Sequence, residues 1–503
     1  MNEEKTYVED VDRSIYDFKD DEKDAFKLSA GLTPAIVEQI SREKHDPAWM
    51  QLFRLQSLQI YQNMRVPDWG PSIEGLNMDN IVTYVRPNTG MKAKWSDVPE
   101  DIKNTFERLG IPQAERKSLA GVGAQYDSEL VYHNVREEVA AQGVVYTDME
   151  SALTGPYADM VKKHFMKLVK PTDHKFAALH GAVWSGGSFV YVPKGVKVEI
   201  PLQSYFRLNA PGAGEQLESA MAGLPVTTIA GAQSETIRLR VAAGEGARQS
   251  GGVVHVQADE GQSVTVVEQI VPTGDGATAL QTKLYAKKNA KICLVQLLFE
   301  GEGHTLINDV GGLCEENASI ELVQLIVGEH IAVDGARVDL VGDGSKFESA
   351  MGYLAAKDQK VDINLIVNHI GRKTNCVIEA DGSLNDRAEK IFRGTIDFKN
   401  GSSGSKGQES EQVLLLGDDV VNKTIPLILC AEENVEGNHG ATIGALDDDT
   451  LFYFASRGMD EKTAERVMTR AKLERICRRI PDAQSHEETE NLLKTVMNDG
   501  QDD

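Results

Sequence analysis

Apolar and polar residues alternate in three different ways along the chain. Over residues 1–180 the apolar positions recur at helical spacing within polar surroundings. Thr33-Pro34 precedes AIVEQISREKH, and Asp46-Pro47 precedes AWMQLFRLQSLQIYQNM. In each pair a side-chain oxygen can cap free backbone N–H groups, while proline takes the first helical position, where a missing N–H costs nothing. Trp49, Phe53, Leu55 and Ile60 give the second helix an apolar surface. The stretch VPDWGPSIEGLNMDNIVTYVRP reads as an ordered loop, and a further helix is predicted from about Tyr157 to Val169.

From about Gly181 the pattern changes to short β-branched and apolar runs divided by glycine, asparagine and aspartate: SFVYVP, ETIRLRVA, VVHVQA, SVTVVEQIV, KICLVQLL, SIELVQLIV, VDINLIV, KIFRGTIDF. Such runs are strands. Three of them and one further run align as a turn followed by a strand, EGQSVTVVEQ, KNAKICLVQL, ENASIELVQL and DGSKFESAMG. Val264, Ile292, Ile320 and Phe347 then occupy equivalent places at spacings of 28, 28 and 27 residues. A period of this size marks a repeat architecture whose units bury their apolar faces by stacking. With only strands in each unit, a β-helix (β-solenoid) is predicted for residues 181–446.

The third pattern occupies residues 447–503. LFYFASRGMDEKTAERVMTRAKLERICRRI is helical beyond Gly458, with Asp460 as its cap. On a helical wheel Ala464, Val467, Met468 and Ala471 form one stripe, and Leu473, Ile476 and Ile480 fall on the other side. Two apolar faces need two surfaces: the body of the protein, and either a partner or a covering helix drawn from SHEETENLLKTVMNDGQDD through Leu492, Leu493 and Val496.

Charge narrows the partners. The 503 residues carry 77 acidic and 53 basic side chains, a formal charge of −24, with 41% apolar residues. That excess opposes nucleic acid as the main partner, since neutralising phosphates requires a concentrated basic surface. No run of about 18 apolar residues offers a membrane span, and MNEEKTYVEDVDRS is unlike a secretory or transit peptide, so a cytoplasmic location is expected. The five cysteines, Cys293, Cys314, Cys376, Cys430 and Cys477, form no CxxC clasp for a resident metal. Most are expected to be buried as small hydrophobes.

No GxxxxGK[ST] loop is present, so no nucleotide is expected to bind. The glycine-rich runs Trp184–Ser188 and Gly121–Ala124 are read as turns. The acidic pairs Glu315-Glu316 and Glu432-Glu433, with Asp447-Asp448-Asp449, are read as turn and cap residues rather than catalytic dyads. The best chemical constellation is ILCAEENVEGNHGATIG. Cys430 and His439 are soft and borderline metal ligands, with Glu432, Glu433 and Glu436 between them. On chemistry alone the plainer reading, a buried strand cysteine and a loop histidine, is favoured.

Residues from about Val11 to Gly214, including VDRSIYDFKDDEKDAF, SLAGVGAQYDSE, VYTDMESALTG and DHKFAALHGAVWSGGSFVYVPKGVKVEIPLQSYFRLNAPGAG, resemble the N-terminal half of SufB, a scaffold subunit of the Suf iron–sulfur cluster assembly system. From about Leu224 the chain resembles the paralogue SufD in its Gram-positive form, through INDVGGLCEENASIELVQL, FRGTIDFKNGSSG, LLLGDDVVNKTIPLILCAEENVEGNHGATIG and LFYFASRGM. A join is expected near GAGEQLESAMAGLPV.

The resemblance implies a mainly β fold: a right-handed parallel β-helix between an N-terminal helical region and a C-terminal helical segment. It implies a non-enzymatic scaffold that pairs through its β-helix with a SufB or a SufB/SufD paralogue and presents its C-terminal segment to a SufC-type ATPase. Leu473, Ile476 and Ile480 become the expected docking residues. A transient iron–sulfur cluster is the expected cargo, with His439 as metal ligand beside Cys430, Glu432 and Glu433, and Arg207 and Asn209 on a sulfur route. SufB's sulfur-accepting cysteine has no counterpart in GSKGQESEQVLLLG, and SufB's acid–histidine–acid cluster is replaced by Asn438-His439-Gly440. A SufD-like role is therefore favoured. A β-helix polysaccharide-active enzyme and an idle SufB–SufD fusion are the alternatives.

Overall fold

The structure, a computed structural model, describes most of residues 31–65, 136–191 and 249–481. It also describes strands within 24–27, 81–87, 121–135 and 202–243, and part of 483–493. Strands from Val226–Ala230 onward alternate between two sheets, of ten and eleven strands, each strand lying parallel to the next but one in sequence. This is a parallel β-solenoid in which each rung is a pair of strands. Val264 stacks on Ile292, Ile292 on Ile320 and Ile320 on Phe347, so the repeat predicted from the sequence is the stacking register itself.

The turn half of the motif has an equally local cause. Gly261, Asn289, Asn317 and Gly344 all adopt positive φ, 70°, 57°, 54° and 71°, two residues before their strands begin. Glycine has no Cβ to clash there, and asparagine is among the few other residues that tolerate this conformation. The N–H of each donates to a carbonyl of the next turn, at 2.8–3.0 Å. Between the sheets, Val264, Ile292, Leu294, Ile320, Leu365, Ile378, Phe392 and Ile396 form one apolar column.

The N-terminal region closes one end. Thr33 caps the helix Pro34–Glu43 as predicted, its hydroxyl accepting from Ile36 N at 3.3 Å. Asp46 does not cap the helix Ala48–Asn63. Its carboxylate accepts from Arg54 Nε at 2.6 Å, and Arg54, fully buried, donates to Trp184 O at 2.7 Å and lies 4.5 Å from the Trp184 ring. A capping oxygen was the reading from local sequence; a buried cation 8 residues away claimed it instead.

The predicted helix near Tyr157 is shorter, Ala158–His164. Gly121–Ala124 is not a turn but part of the strand Gly121–Tyr126, which lies parallel to Leu202–Leu208 and antiparallel to Glu129–Val135, prolonging one sheet. Of Trp184–Ser188, read as a turn, only Trp184–Gly186 connects the helix Lys175–Val183 to the strand Gly187–Tyr191; Gly187 and Ser188 already belong to that strand, with Gly186 and Gly187 at φ 64° and 95°. Most of the loop predicted from 66 to 87 lies outside the described residues.

Among the described residues, no helix is long and apolar enough to cross a membrane.

Candidate functional site

The opposite end of the solenoid is open. Its last rung is the pair Val421–Cys430 and Glu436–Gly444, each the terminal strand of its sheet. In the first strand Thr424, Pro426, Ile428 and Cys430 continue the inward column of Phe392, Gly394, Ile396 and Phe398. The alternate residues Ile425, Leu427 and Leu429 therefore lie on the outer face, 51%, 45% and 43% exposed. In the second strand Gly437, His439, Ala441 and Ile443 stack over Gly407, Glu409, Glu411 and Val413. His439 is thus a strand residue on the inward side, exposed because no further rung among the described residues covers it. Cys430 is exposed rather than buried, and its thiol donates to Glu432 O at 3.0 Å. The Glu432 carboxylate accepts from Gly401 N at 3.0 Å and from Glu433 N at 3.1 Å, the turn role foreseen for it. No described group of three or more His, Cys, Asp or Glu side chains converges to hold a metal.

The lumen beneath is not wholly apolar. Under the open end Glu411 accepts from Tyr353 Oη at 3.0 Å, from Thr424 Oγ1 at 2.6 Å and from Lys390 Nζ, all within the solenoid. Burial lowers the Lys390 pKa, against the pull of Glu411. Glu409, on the same inward face, has its carboxyl pKa pushed up to about 7 by burial and then by Glu411.

Deeper still, Gln296 Nε2 donates to Glu268 Oε2 at 2.6 Å, Asn308 Nδ2 to Gln296 Oε1 at 2.8 Å and to Asp334 Oδ1 at 2.6 Å, and Gln324 Nε2 to Asp334 Oδ1 at 3.0 Å. Burial raises both end carboxyls to about 7. Sequence reading missed this ladder, although Glu268, Gln296 and Gln324 are stacked in register at the same 28-residue period as the apolar column.

The terminal helix Glu461–Cys477 lies on the outside of the eleven-stranded sheet, capped as predicted by Asp460, which accepts from Thr463 N at 2.8 Å. Asp447 likewise caps the preceding helix, Asp448–Ala455, accepting from Thr450 N at 2.7 Å. Leu473 and Ile476, with Cys477, Ile480 and Leu493, are buried against Val295, Leu297, Val323 and Leu325 of the solenoid. Arg475 pairs with Asp381, and Arg479 with Glu379 at 2.7 Å, fixing the same orientation. The expected docking role of Leu473, Ile476 and Ile480 is therefore corrected: within this chain they are core. The apolar groups left outside are Phe452, Tyr453 and Val467, of which Phe452 is 74% exposed.

Two family models match the chain: "SUF system FeS cluster assembly, SufBD core domain" over residues 241–472, and "SufBD protein N-terminal region" over 38–204. The chain is 34% identical over 485 residues to the iron–sulfur cluster assembly protein SufB of Bacillus subtilis, covering 94% of each. It belongs to the SufBD family of iron–sulfur cluster assembly proteins. SufBD family proteins of Staphylococcus aureus and Staphylococcus haemolyticus are 33% and 32% identical over the same length and coverage. Coverage of 94% means that similarity to a SufB runs on past the join expected near 214–224.

The match to the SufBD core ends within the helix Glu461–Cys477, so the rungs from Gln249 onward, the open end and most of that helix lie in the matched region. Of the residues expected on a sulfur route, Arg207 lies in the strand Leu202–Leu208, with its side chain outside the description, and Asn209 lies outside the described residues. Cys293, Cys314, Cys376 and Cys477 are buried, and burial raises every one of their thiols, those of Cys293, Cys376 and Cys477 to about 12. Only Cys430 offers an accessible thiol.

Proposed function

We propose that this SufBD protein is a non-enzymatic scaffold subunit that pairs through its last rung with a SufB or a SufB/SufD paralogue and works with a SufC-type ATPase in a SufD-like role. The observation that carries this reading is the open rung. Two edge strands expose unpaired backbone groups, and Ile425, Leu427 and Leu429 form an apolar row beside them. Soluble proteins usually shield such edges with charge, proline or a covering segment, because they template pairing with another chain. A partner that adds its own strands there would satisfy the backbone and bury the row together. The nascent cluster would then be built beside His439 and Cys430, both exposed on this rung. The ATPase would meet the outer surface of the helix Asp448–Ala455 at Phe452 and Tyr453.

Mixing the full chain with the SufC-type ATPase and SufB of its own organism should give a joint peak on size exclusion, and Leu427→Lys should abolish pairing with SufB. Separate elution of the wild-type components overturns the reading. His439→Ala should lower the iron and sulfide retained by the complex after anaerobic reconstitution without lowering its unfolding midpoint.

A further inference from the structure

Charge is distributed unevenly between the closed rungs and the last one. Residues 356–384 hold four acidic side chains and four lysines or arginines, and the rung stacked on them, 385–416, holds five of each. The last rung with its corners, residues 417–449, holds eight acids and one such base, Lys423. In the closed rungs these charges pair along the stack. Arg387 meets Asp358 at 2.7 Å, Glu389 meets Lys360 at 3.5 Å, and Arg393 pairs with Asp362. Lys406 meets Glu436 of the last rung at 2.9 Å. Each pair joins one rung to the next, so the charges of a rung are answered by its neighbour. Among the described residues no rung follows the last one, and it is there that the acids accumulate.

The acids stand at both corners of that rung. Asp418 and Asp419 precede the strand Val421–Cys430, and Asp447, Asp448 and Asp449 follow the strand Glu436–Gly444 at the same corner. Glu432, Glu433 and Glu436 occupy the other corner. Asp447 is held as a helix cap and Glu432 as a turn acceptor. The side chains of Asp418, Asp419 and Glu433 are exposed and have no hydrogen bond or ion pair among the described residues. Between the corners lie the open strand edges and the apolar row Ile425, Leu427 and Leu429. The face therefore has an adhesive centre and an anionic rim. Two copies joined through this rung would be related by a two-fold axis, which sets their strands antiparallel. Whichever way that axis runs, an acidic corner lies on an acidic corner, and juxtaposed like charges oppose the pairing.

We propose that the charge of the last rung chooses its partner: it excludes a second copy of this chain and accepts a solenoid edge whose corners carry lysine or arginine. This rests on the reading that the chain pairs through this rung, and adds the chemistry of the partner. Open strand edges and an apolar row adhere to any exposed strand. The acids remove identical copies from that set, because specificity requires a repulsive element as well as an attractive one. Bases at the partner's corners would continue the rung-to-rung pairing already made at Asp358, Glu389 and Glu436.

Sedimentation velocity of the full chain alone tests the exclusion. At about 0.05 M salt the wild type should be monomeric, and the triple variant Asp418→Asn, Asp419→Asn, Glu433→Gln should self-associate about tenfold or more tightly than it does. About 0.5 M salt, which screens the charges, should narrow that gap. An unchanged unfolding midpoint shows that the variant is folded. A wild-type dimer at the lower salt, a variant as monomeric as the wild type, or a gap that salt leaves unchanged overturns the proposal. Titration with the SufB of the same organism tests the attraction. The wild type should lose affinity about tenfold or more over that salt range, and the variant should bind more weakly with a shallower salt dependence. Binding that neither salt nor the substitutions alter overturns the basic partner. No complex with SufB at either salt overturns the pairing reading instead, while sedimentation of the chain alone still decides whether a second copy is excluded.

Discussion

The closed rungs and the last rung of this solenoid use the same strand geometry for opposite ends. In a closed rung such as the one holding Leu365 and Ile378, each inward side chain is covered above and below, and even carboxylates are drawn into hydrogen-bonded ladders. In the last rung the same alternation places His439 and Cys430 inward but leaves them in solvent, and places Ile425, Leu427 and Leu429 outward and about half exposed. Stacking thus stabilises a rung only when a neighbour follows it. The rung with no neighbour carries its chemistry and its adhesive surface in the open, which is where a partner can use both.

The sharpest way to break this contrast is at the buried ion pair. Lys390→Ala leaves Glu411 charged and uncompensated in the lumen, and should cost about 3–5 kcal/mol in urea unfolding. A loss under about 1 kcal/mol would mean that water reaches the lumen there. Leu365→Ala, in a closed rung, should cost about 2–5 kcal/mol through the cavity it leaves. Leu427→Ala, on the last rung, should stay within about 0.5 kcal/mol of the wild type while weakening association with a partner. Equal destabilisation by the two leucine substitutions would erase the distinction between the rungs.

Changing the pH should have an effect comparable with the Leu365 cavity. Glu268 and Asp334 are raised to about 7 in the folded chain and titrate near 4 when unfolded. Between these values the folded state holds protons that the unfolded state has lost, so each group takes away about 1.4 kcal/mol of stability per pH unit as pH rises towards 7, and no more above it. Relative to the wild type, Glu268→Gln should therefore gain stability as pH rises from 5 to 7.5. Parallel stability curves for the two proteins would show that Glu268 is ionised in the folded chain across that range. The mildest test leaves stability untouched: native alkylation should add one label, on Cys430, and unfolding should expose all five thiols. A second native adduct would open the closed rungs to solvent.

Most of the solenoid was legible because its cause is local and repeated. The turn positions at Gly261, Asn289, Asn317 and Gly344 favour glycine or asparagine because of their positive φ, and the inward positions favour apolar side chains at one period, so Val264, Ile292, Ile320 and Phe347 could be aligned without coordinates. The caps at Thr33 and Asp460 were legible for the same reason: each bond spans three residues. Asp46 was misread because its partner Arg54 reaches it only once the helix has formed and packed on Trp184. Leu473, Ile476 and Ile480 were assigned to a partner because a helical wheel shows that a face is apolar but not what covers it.

By itself, then, the sequence determined the repeat, its turns and the SufBD family, all properties of short segments and their recurrence. Only the tertiary structure decided which rung is last, that His439 stands over Glu409, and that the terminal helix turns its leucine and isoleucines inward. Those outcomes depend on which strands find neighbours, and burial is a property of neighbours rather than of residues.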